Sequence, residues 1–151
     1  MLSIFLWETT IKVSTLEGSE NMKILSEISV GELLDKISIL EIKLDMVKNE
    51  DKKKEIKKEY DILKKIQIDF VKLDGEINDL FKSLKKVNMT MWEIEDKVRI
   101  CEKNKDFGQN FIDLARGVYF NNDKRSRIKL EINKKLKSNI TEIKEYVDYE
   151  N

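Results

Sequence analysis

Between Leu63 and Cys101, apolar residues recur at alternating steps of three and four. The run is Leu63, Ile66, Phe70, Leu73, Ile77, Leu80, Leu84, Val87, Met91, Ile94, Val98 and Cys101. Strands repeat about every two residues and helices about every 3.6, so a seam of this length commits the chain to helix. A second stripe lies beside it at the same spacing: Asn88, Trp92, Glu95 and Arg99. A purely solvated face has no use for a Trp flanked by Asn, Glu and Arg. The expectation is a helix end covered on two sides, with the second contact polar.

Composition agrees. The 151 residues include no Pro and five Gly, with 38% charged and 40% hydrophobic residues. That balance favours amphipathic helices, since strand turns usually need more Gly and Pro. The absence of His removes the usual general base and the commonest zinc ligand. The one cysteine, Cys101, falls on the seam, where a buried, inert thiol and a reducing cytoplasm are expected. No apolar run approaches the ~20 residues that span a bilayer.

Charge is balanced overall but not along the chain. From Glu17 to Asp51, nine acids face four bases, a balance of −5; from Asp123 to Lys137, seven bases face two acids, a balance of +5. The basic C-terminal helix reads as a solvated face or as the mate of an acidic one; tracking of phosphates is the weaker reading, and nucleic acid is not an expected partner.

Residues 1–21 differ from the rest. An apolar run, Leu2 to Trp7, precedes Thr9, Thr10, Ser14 and Thr15, and the regular pattern starts only after Met22. We therefore expect 1–21 to be an N-terminal extension upstream of a true start at Met22, and 22–151 to be a single helical domain. Intact-mass spectrometry of the native protein checks this; a mass that includes Met1 sinks it.

Helix one is expected to start at Ser29, a cap with Glu32 three residues on. Its stripe is Val30, Leu33, Ile37, Leu40, Leu44 and Val47. Asn49-Glu50-Asp51 then caps helix two, which the heptad phase carries across Gly75 as one rod of about 75 Å against about 27 Å for helix one. Folding back at Gly75 is the alternative. The run over residues 52–65, seven Lys with three acids, reads as a solvated face. Asp106 is expected to cap a third helix with Phe107, Phe111, Leu114 and Val118. Asn121-Asn122-Asp123 then marks a turn before a fourth helix with Ile128, Ile132 and Leu136. Ile140, Ile143, Tyr146 and Val147 suggest a short last one. The architecture expected is all-α: a long antiparallel heptad hairpin with three short helices packed on its end, self-associating through uncovered seam.

The stretches SVGELLDKISILEIKL, VNMTMWEIEDKVR, FIDLARGVYFNNDKRSRIKLEIN and SNITEIKEY together resemble a family of small bacterial and phage proteins known only as a domain of unknown function. The resemblance covers roughly Met22 to Tyr149 and is weakest between Asn49 and Ile77. It implies a small helical protein and supplies no reaction, substrate or cofactor. It draws attention to Trp92, Glu95, Asp96 and Arg99, and to Arg116, Tyr119, Asn122, Asp123, Arg125, Lys129 and Asn133. The residue spacing agrees in part, because Arg125, Lys129 and Asn133 are four apart and share one helix face.

Two readings of that cluster stand side by side. In the first it is a docking surface: Glu95 or Asp96 pairs with Arg116 or Arg125, Asn122 or Asp123 caps helix four, and Trp92 packs beneath. In the second, Arg99, Arg116, Arg125 and Lys129 surround a small anion, with Trp92 and Tyr119 stacking on a base or sugar. A magnesium reading of Glu76-x-x-Asp79 with Glu93-x-x-Asp96 is the weakest of the three, since the two pairs do not share a face. No metal or cofactor is expected. The leading function is a non-enzymatic interaction module; the alternative is a small anion-, nucleotide- or sugar-phosphate-binding protein, with or without catalysis, using an Arg-rich pocket between the end of helix two and helices three and four.

Overall fold

Ser29 opens the first helix as expected, its hydroxyl accepting from the Glu32 N–H at 3.1 Å. In the computed structural model, which describes residues 22–145 and 147, four helices follow and no strand forms among the described residues. They are α1 (Val30–Met46), α2 (Glu50–Phe70), α3 (Gly75–Asn104) and α4 (Gln109–Lys135). The N-terminal extension and Tyr146 lie outside the described residues. No described helix is long and apolar enough to cross a membrane.

Helix α1 is the centre of the molecule. Among the described residues it packs on all three other helices, while α2 packs on α1 alone. A helix with one neighbour buries one stripe; one with three neighbours is buried most of the way round. Accordingly Leu34 and Ile42, which lie off the predicted stripe, are as deeply buried as Ile37. The core joins Leu33, Leu34 and Ile37 to Val71, Ile77, Phe81, Leu84 and Val87, and to Ile128 and Ile132. Truncating a fully buried Leu such as Leu34 to Ala costs about 2–5 kcal/mol.

Asn49 caps α2 through an acceptor bond from the Lys52 N–H at 2.9 Å, and α2 turns back along α1. Tyr60 Oη donates to Glu41 Oε1 at 3.5 Å across this pair. Here the continuous rod is corrected. The helix stops at Phe70, the four residues 71–74 form a link, and α3 starts at Gly75. Val71 leaves helical backbone and turns into the core, where it is buried. Gln67 Nε2 donates to the Val71 carbonyl at 2.7 Å and seals the helix end. Gly75 adopts a φ of +44°, a left-handed angle that any other residue takes only with strain.

The C-terminal half is corrected too. The expected third and fourth helices are one continuous α4, with Asn121, Asn122 and Asp123 inside it. Asn121 Nδ2 donates to the Gly117 carbonyl at 2.8 Å, so this side chain serves its own helix and opens no turn. Gly108, not Asp106, occupies the cap position; Asp106 Oδ1 instead accepts from the Gly108 N–H at 3.2 Å. No helix forms over the described residues of the last predicted one, Ile140, Ile143 and Val147.

Trp92 lies level with the end of α1, since Lys43 and Val47 line the same cleft. Beyond it the end of α3 and the start of α4 run together as a two-helix arm. Ile94 lies 3.0 Å from where a Gly117 Cβ would stand, and Asn110 Nδ2 donates to the buried Cys101 Sγ at 3.6 Å. Phe107 and Phe111 meet edge to face at the arm's tip, 5.3 Å between centroids.

Candidate functional site

A buried first helical turn must find partners for its N–H groups outside the helix. In α1 three different segments supply them. Ser138 Oγ accepts from Val30 N at 3.1 Å, Asn133 Oδ1 from Gly31 N at 2.7 Å, and Ser29 Oγ from Glu32 N. Gly31 allows the close approach this requires. A Cβ there would stand 2.6 Å from the Lys129 carbonyl oxygen and 2.9 Å from Asn133 Oδ1.

One turn further along α1 lies the polar centre of the protein. Asp35 and Ser38 are fully buried. Asp35 Oδ1 accepts from Asn88 Nδ2 on α3 at 2.8 Å and from Arg125 Nε on α4 at 2.9 Å. Arg125 Nη2 donates to Asp35 Oδ2, which makes the pair bidentate. Ser38 Oγ accepts from Asn88 Nδ2 at 2.8 Å and donates to the Asp35 carbonyl at 2.8 Å. Three helices thus cross at one set of hydrogen bonds. The hydrogen bond from Arg125 to Asp35 outweighs partial burial and raises the guanidinium's already high pKa.

Lys129 is one α4 turn from Arg125 and is also buried. Its Nζ lies 2.6 Å from Glu32 Oε2 and 2.7 Å from Glu142 Oε2. Burial pushes the Lys129 pKa down, but hydrogen bonds to Glu142 and Glu32 win and the net shift is upward. The same bond from Lys129 lowers the Glu142 pKa against its partial burial. The non-helical tail after α4 is thereby drawn over the start of α1. Asn139 Nδ2 adds a 2.7 Å bond to Glu27 Oε1.

Of the residues singled out in sequence, the structure brings Arg125, Lys129 and Asn133 together on this α4 face, with Asn88 opposite. The rest lie elsewhere. Glu95 pairs with Arg99 on the exposed face of its own helix, 3.4 Å apart, and Asp96 is exposed. Arg116 stacks over Phe120 on the arm, 5.7 Å from the ring centroid, and Tyr119 lies 4.7 Å from the same ring. Asn122 and Asp123 are half-buried within α4. The carboxylate that meets Arg125 is therefore Asp35, not Glu95 or Asp96. Trp92 is covered by neither α4 cation: it lines an open cleft of about 560 Å3 with Val47 and Ile56, beside the α1–α2 turn.

Sequence reasoning missed Asp35, Ser38, Gly31, Ser138 and Glu142, and placed Glu32 only at the helix cap, not against Lys129. A signal existed for the first two. Asp35 and Ser38 are three apart inside the apolar string Leu33-Leu34…Ile37…Leu40…Ile42, and a polar pair on a helix buried all round must be hydrogen-bonded. The opposed charges of the two chain halves were the signal for Glu32 and Asp35 against Lys129 and Arg125. Among the described residues no three metal-ligating side chains converge; Glu76, of the acidic pair considered for magnesium, meets Lys135 at 2.7 Å.

The fold and the site define an all-helical protein whose polar centre ties α1, α3 and α4 into one body. A family model described as a family of unknown function, DUF6165, matches residues 22–149, and the chain belongs to that family. No curated protein and no solved structure matches it.

Proposed function

We propose that this protein is a non-enzymatic helical interaction module that self-associates through apolar surface left uncovered by the described residues. Helix α2 carries the reading. It is 21 residues long and, among the described residues, packs on α1 alone and buries only Gln67. Ile62, Ile66 and Phe70 follow one another at steps of four along it and are 56%, 40% and 82% exposed. Single exposed apolar residues are ordinary, whereas a contiguous row of large ones marks a contact surface.

The polar centre supports the same reading. Its two cations, Arg125 and Lys129, already face three carboxylates, Asp35, Glu32 and Glu142. That sum offers an incoming phosphate no positive excess, so these residues act as the joint between helices. The proposal sets the protein in a reducing cytoplasm, on the strength of its single buried thiol, Cys101.

Sedimentation velocity over a dilution series tests the reading, together with thermal melts in nucleotides, sugar phosphates and divalent metals. The expected result is concentration-dependent association with melts unmoved by these compounds. A monomer at every concentration, stabilised by several degrees by one of them, would overturn it.

A further inference from the structure

We infer that the four-residue link 71–74 is a hinge, and that two copies of this chain exchange their α1–α2 halves when it straightens. In the exchanged dimer α2 and α3 run on as one helix. Each polar centre then takes Asp35 from one copy and Asn88 and Arg125 from the other. The exchange reuses contacts the fold already makes, so it goes beyond association through uncovered apolar surface and does not depend on it.

Packing divides the described helices into two pairs. α1 holds α2 and α3 holds α4, while only α1 reaches from the first pair to the second. The bonds between the pairs, Asp35 with Asn88 and Arg125, Glu32 with Lys129, and Glu41 with Lys85, all start from α1. A second copy can supply their other ends unchanged, as in domain swapping, which a short hinge link favours. The link itself is fit to coil. Phe70, Leu73 and Ile77 keep helical spacing across it, and Lys72 and Leu73 are good helix formers. Val71 N already donates to the Gln67 carbonyl at 2.7 Å, and Asn78 N to the Asp74 carbonyl at 3.3 Å, so the helical pattern reaches the link from both sides.

Folding back is unfavourable at one point in the same place. Gln67 Nε2 is committed to the Val71 carbonyl. Its Oε1 is the one buried side-chain nitrogen or oxygen without a partner among the described residues, and a buried acceptor without a donor destabilises. In the straight helix Gly75 N takes the Val71 carbonyl, as the i to i−4 pattern requires, and the Gln67 amide is free to reorient. Burial of Val71 in the core works the other way and holds the link folded.

Gly75 supplies the first test. A Cβ there would meet nothing within 4 Å, so Gly75→Ala is opposed in the folded-back form only by its φ of +44°, while a straight helix prefers Ala to Gly. The substitution should favour exchange by about tenfold per hinge, and by roughly a hundredfold for a dimer with two hinges. Wild type refolded at high concentration should give some dimer on gel filtration that survives dilution, and Gly75→Ala should give more. Inserting Gly-Gly-Ser after Lys72 breaks the helical run and should leave monomer.

Glu41→Cys with Lys85→Cys identifies the exchange itself. These side chains meet between α1 and α3, Nζ 2.8 Å from Oε2, and a short bismaleimide should join the two thiols, with Cys101 buried. On a denaturing gel an exchanged dimer runs as two chains joined together. An unexchanged dimer runs as single chains, each joined to itself. Dimers that yield only single chains overturn the exchange and leave association through uncovered surface standing. A folded Gly75→Ala variant no more dimeric than wild type also overturns it. Where Gly75→Ala does not fold, the insertion and the cross-link decide: a dimer that persists with the insertion overturns the exchange. Joined chains in a protein that shows no reversible association on dilution support the exchange and remove the surface reading.

Discussion

Arg125 holds both carboxylate oxygens of Asp35 across ninety positions of sequence, and Asp35 has 1% of its side chain exposed. The pair links the first described helix to the last described one. Asn88 joins them from α3, so three helices meet at a single carboxylate. Burial of such an ion pair does not by itself stabilise a fold, because desolvation offsets the Coulomb gain. Its geometry disfavours other packings of α4 on α1, since any other register leaves Asp35 charged and buried with only the neutral Asn88 amide to bond it.

Arg125→Ala should therefore cost more than an ordinary surface-to-alanine change. Removing one partner of a buried pair costs about 3–5 kcal/mol, and Arg125, with 26% of its side chain exposed, belongs near the lower end. Urea denaturation monitored by helical circular dichroism measures this. Replacing both partners by apolar residues, Asp35→Leu with Arg125→Met, should recover much of the loss. A single mutant as stable as wild type would show that the pair contributes little.

Gly31→Ala should destabilise, although Gly to Ala in a helix usually stabilises by about 0.5–1 kcal/mol. The new methyl would meet the Lys129 carbonyl at 2.6 Å, a backbone atom that cannot swing aside. α1 and α4 must then separate and stretch the bond from Gly31 N to Asn133 Oδ1, now 2.7 Å. Overpacking of this kind costs about 1–3 kcal/mol. A lower midpoint of thermal unfolding is the expected outcome; a higher one would mean that α4 yields at no cost.

What the sequence disclosed and what it hid follow one physical division. Local signals were readable: Ser29 and Asn49 cap their helices, and the four-residue spacing of Arg125, Lys129 and Asn133 places them on one face. Facts that depend on distant segments were not. Nothing near Arg125 names Asp35, because the pairing exists only once α1 lies against α4. The heptad steps from Phe70 through Leu73 to Ile77 run unbroken across a four-residue link, since spacing records which residues are apolar and not whether backbone bonds continue between them. The Asn-Asn-Asp cluster carries turn chemistry, yet α3 runs alongside α4 there, and Asn121 bonds back to Gly117 instead of ending the helix.

Lys105→Gly should stabilise the protein. Lys105 ends α3 at a left-handed φ of 55°, its N–H donating back to Cys101 and Glu102 carbonyls. That C-terminal conformation usually falls to Gly, and another residue takes it at a cost of about 1–2 kcal/mol. The substitution also removes the Lys105–Glu102 pair, 2.5 Å apart but exposed and worth less than about 1 kcal/mol. Chemical denaturation should show a net gain of up to about 1 kcal/mol. A loss would mean that the added freedom of Gly in the unfolded chain outweighs the strain.

Acid should release the C-terminal tail before it unfolds the core. Glu142 has its folded pKa lowered below the ordinary 4.5, chiefly by its hydrogen bond to Lys129. A depressed carboxylate contributes stability that is present above the unfolded value and lost as pH falls through the folded one. Lys129 has the opposite sign: its raised pKa makes its contribution complete below 10.5 and lost only as pH rises through the higher folded value. Between those limits the contact is at full strength. With 44% of its side chain exposed, Glu142 is screened by solvent, and the contact is worth less than about 1 kcal/mol. Glu142→Gln should accordingly be slightly less stable than wild type near neutral pH, and the two should converge as pH drops below the 4.5 limit. Urea denaturation of both proteins at a series of pH values reads this difference. A gap that stays constant into acid would show that Glu142 holds the tail by packing and not by charge.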